Sequence, residues 1–203
     1  MDKTIIGLKI LKKKIANFIS IIGYPLLTIP VFILFKMFEF ETISKAILIS
    51  SLIIGGIFVP VILWMFLKSK NGTYTNFDVS DKIQRRSLFS FIVTVLIIVT
   101  VLLFVVDQSN NIIISSLFAL ILIIVSQATN YFIKSSLHVS LNIYLSSLIF
   151  PFSYKIGISV FLFTLAISWA RIELGRHSIK EILLGWIIGI IISFTMLKFQ
   201  GYI

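Results

Sequence analysis

The sequence predicts an all-α protein, a polytopic transmembrane helical bundle with six to seven spans. Hydrophobic residues make up 58% of the 203 residues and charged residues only 13%, whereas about a quarter of a soluble domain is charged. The mean hydropathy is +1.08. Apolar residues form continuous runs of about 15 to 25, the length that crosses a bilayer. Because these runs do not alternate with polar residues, they disfavour a β-barrel.

The spans lie between stretches of polar residues. We expect them at roughly 15–37, 43–67, 88–106, 112–133, 139–151, 156–170 and 182–198. The two shorter runs, 139–151 and 156–170, are either two short spans or the halves of a re-entrant hairpin. The chain contains no internal repeat, so residues 1–203 are expected to form a single integral-membrane domain. It also contains no cysteine, which excludes disulfide and thiolate chemistry.

Counting spans places three polar segments, 68–86, 134–138 and 171–181, on the same membrane face as the N-terminus. All but four of the 18 Lys and Arg residues fall on this face; the exceptions are Lys36, Lys45, Lys155 and Lys198. The positive-inside rule makes it cytoplasmic, in what we expect to be a bacterial inner membrane. The net charge is +10, and because the cations border apolar spans, membrane lipids are the expected partners rather than nucleic acid.

The segment RIELGRHSIKE (171–181) contains one of the two histidines of the chain. If the segment is helical, His177 and Glu181 share a face because they are four residues apart. A carboxylate there can fix the imidazole tautomer and leave the other nitrogen basic, as a nucleophile or general base requires. Glu173 is expected on a different face. The alternative is a solvated turn at the membrane surface in which the histidine is incidental.

The segment KSSLH (134–138) contains the other histidine. Ser135 and Ser136 stand where one span ends and the next begins, so a helix N-terminus there would present N–H groups to an anion. His138 is placed to protonate a leaving oxygen. The alternative is that these residues only cap a helix.

The segment DVSDKIQRR (78–86) is expected to be a loop that enters the third span. Lys82 and Arg86 are four residues apart and are expected to present one cationic face, with Arg85 beside them. Arginine forms the bidentate hydrogen bonds that bind phosphate. The alternative is a basic anchor next to the membrane.

In combination, these segments resemble the type-2 phosphatidic acid phosphatases of the acid phosphatase and vanadium haloperoxidase superfamily, over roughly residues 78–195. The third signature of that family is Ser-Arg-x5-His-x3-Asp. Arg171 and His177 match it, Glu181 replaces the Asp, and Ala170 replaces the Ser.

The other two signatures are matched less completely. The second, Pro-Ser-Gly-His, is matched by Ser136 and His138, with Ser135 in place of the Pro and Leu137 in place of the Gly. The first, Lys-x6-Arg-Pro, is replaced by the shorter Lys82-x3-Arg86, which is followed by Ser87 and not by Pro. The order and spacing of the three segments, and their shared membrane face, support the resemblance.

The resemblance implies a role for each of these residues. His177 would attack phosphorus to form a phosphohistidine, Glu181 would orient it, and His138 would protonate the leaving lipid oxygen and then activate water. The groups that would hold the phosphoryl oxygens are Lys82, Arg85, Arg86, Arg171 and the amides around Ser136. No metal or other cofactor is expected, since the cations supply the positive charge that a divalent ion would otherwise supply.

Three functions therefore remain open. The first is a membrane-embedded lipid phosphate or diphosphate phosphatase, whose substrate would be a lipid such as phosphatidate, phosphatidylglycerol phosphate or a polyprenyl diphosphate. The second is a phosphotransferase with an acceptor other than water. The third is a non-catalytic protein that binds or transports an anionic lipid, but such a protein needs cations and no paired histidines. The sequence leaves the oligomeric state open.

Overall fold

The computed structural model describes residues 3–75, 79 and 81–203, so Asp78 and Ser80 of the DVSDKIQRR segment lie outside the described residues. Within the described residues the chain forms helices and no strand, which confirms the predicted all-α fold. The helices are α1 (Lys3–Ile22), α2 (Pro25–Phe40), α3 (Ile43–Ser50), a π-helical segment (Ser51–Phe58), α4 (Val59–Lys70), α5 (Lys82–Val105), α6 (Asn110–Asn130), α7 (Leu137–Ile149), α8 (Tyr154–Glu173) and α9 (Ile179–Phe199).

The lengths and composition of the helices indicate an integral membrane protein. Among the described residues, five helical stretches are long and apolar enough to cross a membrane. They are Ile43–Lys70, Lys82–Val105, Asn110–Asn130, Tyr154–Glu173 and Ile179–Phe199. A sixth span results if the bent pair Gly7–Ile22 and Pro25–Phe40 is counted as one. With the shorter apolar helix α7, these elements agree with the predicted bundle of six to seven spans.

The first predicted span, 15–37, is broken into two helices rather than forming one. The helix α1 ends at Ile22 and α2 begins at Pro25, with a bend of 41° between them. Proline lacks an N–H group and restricts the residue before it, so it begins a helix more readily than it continues one. Tyr24 is therefore left outside both helices.

The second span contains a π-helical segment, Ser51–Phe58, between α3 and α4. The N–H of Val59 donates to the carbonyl of Ile54, five residues earlier. Pro60 follows at once, and its ring would clash with the carbonyl four residues before it in a regular α-helix. The wider π turns accommodate this proline, so the chain continues to Lys70 as one span.

The helix α7 is too short to cross the membrane alone. Its 13 residues extend about 20 Å, whereas the hydrocarbon core is about 30 Å thick. Nine of its residues are buried, and the Ser146 hydroxyl donates to the Gly157 carbonyl over 2.8 Å. The following helix, α8, has 20 residues and is long enough to span. The two runs 139–151 and 156–170 thus form one short buried helix and one full-length helix.

The chain divides into two compact units, and the first comprises the residues up to Thr28 together with Ser135–Ser193. In this unit α7 and α9 pack closely through glycines. A Cβ on Gly185 would lie 2.7 Å from the Ser136 carbonyl oxygen, and one on Gly189 would lie 3.1 Å from the Ser140 Cα. Small residues four apart allow helices to approach closely in membranes, so the GWIIG sequence sets this contact.

The second unit comprises Ile29–Lys134 and Phe194–Ile203. Hydroxyl and amide groups connect α5 to α6 within it. The hydroxyls of Thr100 and Ser116 lie 2.6 Å apart, and the Gln127 amide donates to the Ser90 hydroxyl over 2.9 Å. Such side-chain hydrogen bonds stabilise pairs of membrane helices modestly.

Candidate functional site

The turn between α8 and α9 carries the histidine of the RIELGRHSIKE segment. Gly175 has φ +66°, a left-handed conformation that glycine adopts without a Cβ penalty at the end of a helix. The carbonyl of Arg171 accepts the backbone N–H groups of Arg176 and His177 at 3.0 and 3.3 Å. The turn thereby holds Arg176 and His177 against the last turn of α8.

His177 and Glu181 contact each other directly. Nδ1 of His177 lies 2.7 Å from Oε2 of Glu181, and the imidazole is buried. The interpretation that both residues share one helix face is wrong, because His177 precedes α9, which begins at Ile179. The contact arises at the start of the helix. If Nδ1–H donates to the carboxylate, the lone pair of the ring resides on Nε2.

A capping arrangement explains why the Glu181 side chain turns back toward His177. The Ser178 N–H donates to Oε2 of Glu181 over 3.3 Å, and the Glu181 N–H donates to the Ser178 hydroxyl over 3.4 Å. This reciprocal pair is a capping box. Glu181 therefore stabilises the first turn of α9 and contacts the histidine with the same oxygen.

The KSSLH segment lies beside this turn. The backbone N–H of Ser136 donates to the backbone carbonyl of Glu181 over 3.0 Å, so the two histidine-bearing segments are brought together. Ser136 precedes α7, and its fully buried hydroxyl has no hydrogen-bond partner among the residues that the structure describes. The first turn of a helix presents N–H groups that its own carbonyls do not accept. The N-terminus of α7 is therefore suited to binding an oxyanion.

His138 is held by two residues that the sequence interpretation missed. The Asn142 side chain donates to the carbonyls of His138 and Gly23 over 2.7 and 2.8 Å. The rings of Tyr24 and His138 lie 4.9 Å apart, tilted by 54°. The signal in the sequence was Asn142 itself, because an asparagine inside an apolar helix commonly hydrogen-bonds a neighbouring helix.

Arg171 contacts a third residue that the sequence interpretation missed. Its Nη1 donates to the hydroxyl of Ser20 over 3.3 Å, and Nη1 of Arg176 donates to the same hydroxyl over 3.4 Å. Ser20 and the Arg171 side chain are buried. Ser20 is a polar residue in the apolar part of α1, and this is the signal that could have identified it.

The cations of the DVSDKIQRR segment, Lys82, Arg85 and Arg86, belong to the second unit. They lie in α5 and not in the predicted loop, because the Asp81 carboxylate accepts two N–H groups of the first turn at 2.9 Å and starts the helix there. Arg85 is buried, with Cζ 5.1 Å from the centre of the Phe89 ring.

Lys82 and Arg86 contact neighbouring residues at the end of α6. Nζ of Lys82 donates to the carbonyl of Phe132 over 3.2 Å. Cζ of Arg86 lies 4.4 Å from the centre of the Tyr131 ring. The two side chains therefore lie on one face of α5, as their spacing indicates. Their role as phosphate ligands stays a prediction.

The remaining carboxylate near the turn, Glu173, forms an ion pair with Lys12 of α1 at 2.8 Å. This pair is distinct from the His177–Glu181 contact. The expectation of different faces of one helix does not apply, because Glu173 ends α8 and Glu181 lies in α9. Across residues 3–75, 79 and 81–203, no three His, Asp or Glu side chains are grouped so that they could hold a metal ion.

Comparison with known proteins does not identify a family or a function for this arrangement of residues. A scan against protein-family models, a search of curated proteins and a search of solved structures each gave no significant match. The chemistry of the site is therefore interpreted from its own residues: two buried histidines, a carboxylate, two arginines and a helix N-terminus.

Proposed function

We propose that the protein is a membrane-embedded hydrolase that removes phosphate from a lipid phosphate or diphosphate through a phosphohistidine intermediate. The observation that carries this proposal is the 2.7 Å contact between His177 Nδ1 and Glu181 Oε2, located where the Ser136 N–H meets the Glu181 carbonyl. An oriented imidazole beside an oxyanion-binding helix end is the arrangement expected for nucleophilic attack on phosphorus.

In the first step, Nε2 of His177 attacks phosphorus and the bond from phosphorus to the lipid oxygen breaks. The leaving oxygen takes a proton from His138, and the Glu181 carboxylate stabilises the positive charge that develops on the His177 ring. In the second step, water attacks the phosphohistidine and gives a proton to His138. The N–P bond breaks, inorganic phosphate leaves, and both histidines return to their starting states.

The phosphoryl oxygens would be held by groups of two kinds. The α7 N-terminus offers backbone N–H groups and the Ser136 hydroxyl, while Arg171 offers a buried guanidinium. Lys82, Arg85 and Arg86 are proposed as further ligands from the sequence signature. Since these groups supply positive charge to the developing oxyanion, we expect activity without an added metal ion.

The proposal agrees with the resemblance of the three segments to the type-2 phosphatidic acid phosphatases. The excess of lysine and arginine on the N-terminal face supports a cytoplasmic N-terminus, and we propose a bacterial inner membrane as the location. The active site would then face the cytoplasm, whereas many bacterial members of the resembled family work on the outer face.

Phosphate release from a lipid panel tests the activity. Purified protein in neutral detergent would be given phosphatidate, phosphatidylglycerol phosphate and a polyprenyl diphosphate, each with and without EDTA. His177→Ala is the test variant. Ser159→Ala is the control, because this exposed hydroxyl donates to the carbonyl of Lys155 in its own helix. We expect release by wild type and control, unaffected by EDTA, and none by the test variant.

Each other outcome contradicts part of the proposal. Folded wild-type protein that binds these lipids but releases no phosphate would support a lipid-binding or transport protein. Transfer of the phosphoryl group to an added alcohol in preference to water would indicate a phosphotransferase. Loss of activity in EDTA that Mg²⁺ or Zn²⁺ restores would contradict metal independence.

Cysteine labelling tests the proposed orientation, since the chain has no cysteine of its own. Single cysteines would be placed at Asn71, which follows α4, and at Ser153, which precedes α8. We expect an impermeant reagent outside intact cells to label the cysteine at position 153 and not the one at position 71. Labelling at position 71 alone would reverse the orientation.

A further inference from the structure

Three elements of the first unit meet at one hydroxyl group. Ser20 of α1 accepts a hydrogen bond from Arg171 at the end of α8 and another from Arg176 in the following turn. A hydroxyl oxygen has two acceptor lone pairs, so a single serine can hold both guanidiniums. Only 1% of Ser20 and 2% of Arg171 is exposed, so the hydrogen bond between them is shielded from water.

The arrangement brings two positive charges close together through a neutral group. Guanidinium groups near one another repel, and the repulsion is stronger where water is excluded. The Ser20 hydroxyl fixes the two groups in position but does not neutralise them. A tetrahedral oxyanion with two negative charges matches such a pair, because guanidinium N–H groups bind phosphate oxygens in a forked geometry.

The position of Arg176 relative to the proposed nucleophile supports the same ligand. Arg176 immediately precedes His177, and both backbone N–H groups donate to the Arg171 carbonyl. A phosphoryl group attacked by His177 would therefore lie beside the segment that carries both arginines. The sequence signature assigns a role to Arg171 alone, so Arg176 and Ser20 are additions to that signature.

We infer that Ser20 joins Arg171 and Arg176 into one oxyanion-binding unit, in which Arg176 is a second guanidinium ligand for the terminal phosphate of a phosphate monoester. The inference rests on the proposed function for the source of the phosphate. Ser20 is a positioning residue in this unit, since it acts through the two arginines.

Binding of orthovanadate, a phosphate analogue, tests the inference without requiring turnover. Its dissociation constant would be measured from the thermal stabilisation of the full-length protein in neutral detergent. The variants are Ser20→Ala, Arg176→Gln and the double variant. Ser193→Ala is the control, because Ser193 is a buried serine whose hydroxyl has no partner among the described residues.

We expect Arg176→Gln and Ser20→Ala each to raise the vanadate dissociation constant about tenfold, as expected for loss of a hydrogen bond to a charged group. The double variant should raise the dissociation constant by less than the product of the two single effects, because Ser20 acts partly through Arg176 and partly through Arg171. The control should bind like wild type. Unchanged affinity in Arg176→Gln, or effects of the two substitutions that multiply independently, would overturn the inference.

Two lipids separate the possible sources of the phosphate. Phosphatidate carries a phosphate monoester and should compete with vanadate, whereas phosphatidylglycerol carries only a diester and should not. Equal competition by both lipids would overturn the assignment to a monoester. A wild type that binds vanadate with the expected dependence on Ser20 and Arg176 but hydrolyses none of the lipids would contradict the proposed hydrolysis and leave the binding unit supported.

Discussion

The arginines of the two compact units lie in different surroundings. In the first unit, Arg171 and Arg176 donate to the buried hydroxyl of Ser20. Asn142 connects α7 to the Gly23 carbonyl, and Ser20 connects α1 to Arg171. In the second unit, by contrast, the cations next to the spans contact aromatic rings. Arg86 lies over Tyr131, and Nζ of Lys68 lies 4.9 Å from the centre of the Trp64 ring.

The difference distinguishes a candidate site from a membrane anchor. A guanidinium removed from water is costly unless it is paired and hydrogen-bonded, and Arg171 is buried with a hydrogen bond to Ser20. Cations stacked on Tyr or Trp at the ends of helices are common at membrane surfaces. The ring contacts of the second unit thus also fit the anchor alternative for Lys82 and Arg86.

The largest effect is expected for the two histidines of the first unit. His177→Ala should lower turnover about a thousandfold or more, and His138→Ala about a hundredfold or more, because each removes a group that acts in the transition state. Lipid binding should persist. Thr100→Val in the second unit removes the 2.6 Å contact with Ser116 and is the control. Equal losses of turnover in the control and in His177→Ala would remove the distinction between the units.

Replacing one arginine of each unit by lysine sharpens the comparison. Arg171→Lys should lower the catalytic efficiency about 10- to 100-fold, because an ammonium group cannot reproduce the forked guanidinium contacts. Arg86→Lys keeps the positive charge that a membrane anchor needs, so it should lower the catalytic efficiency less than about threefold. Steady-state kinetics on a lipid phosphate would measure both. An equally large loss in Arg86→Lys would identify Arg86 as a geometric phosphate ligand.

A smaller effect is expected where α7 and α9 pack together. Gly185→Ala would place a Cβ 2.7 Å from the Ser136 carbonyl oxygen, so a backbone must shift, at a cost of about 1–3 kcal/mol. Gly55→Ala in the second unit is the matched control, since a Cβ there meets nothing within 4 Å. Thermal unfolding in detergent should show a lower midpoint for Gly185→Ala alone. A normal midpoint would mean that α9 can move away from α7 without loss.

The smallest effect is expected for Glu181→Gln. Glutamine can still form the capping box, so the fold should persist while the charge that stabilises the His177 ring is lost. Turnover should fall about three- to tenfold, with little change in the unfolding midpoint. Glu181→Ala should lower both, because it also removes a cap worth about 1 kcal/mol. If Glu181→Gln retained full turnover, Glu181 would be a capping residue only.

The sequence by itself determined the fold class and most of the helices. Long apolar runs cross a membrane whatever their neighbours are, because backbone groups in lipid must be satisfied within a helix. Counting these spans also predicted that KSSLH and RIELGRHSIKE lie on the same membrane face. The local chemistry of Pro25, by contrast, divided a run that hydropathy alone treats as continuous.

Only the tertiary structure decided which residues contact the arginine and the histidine of the candidate site. Ser20 contacts Arg171 and Tyr24 contacts His138, each across more than a hundred residues of sequence, and no local pattern connects them. These pairs meet because α1 packs against α8, where Gly23 leaves room for Ile167. Likewise, the contact between His177 and Glu181 comes from a helix cap and not from a shared helix face. Periodicity reports which face of a helix is apolar, whereas packing decides which polar atoms meet.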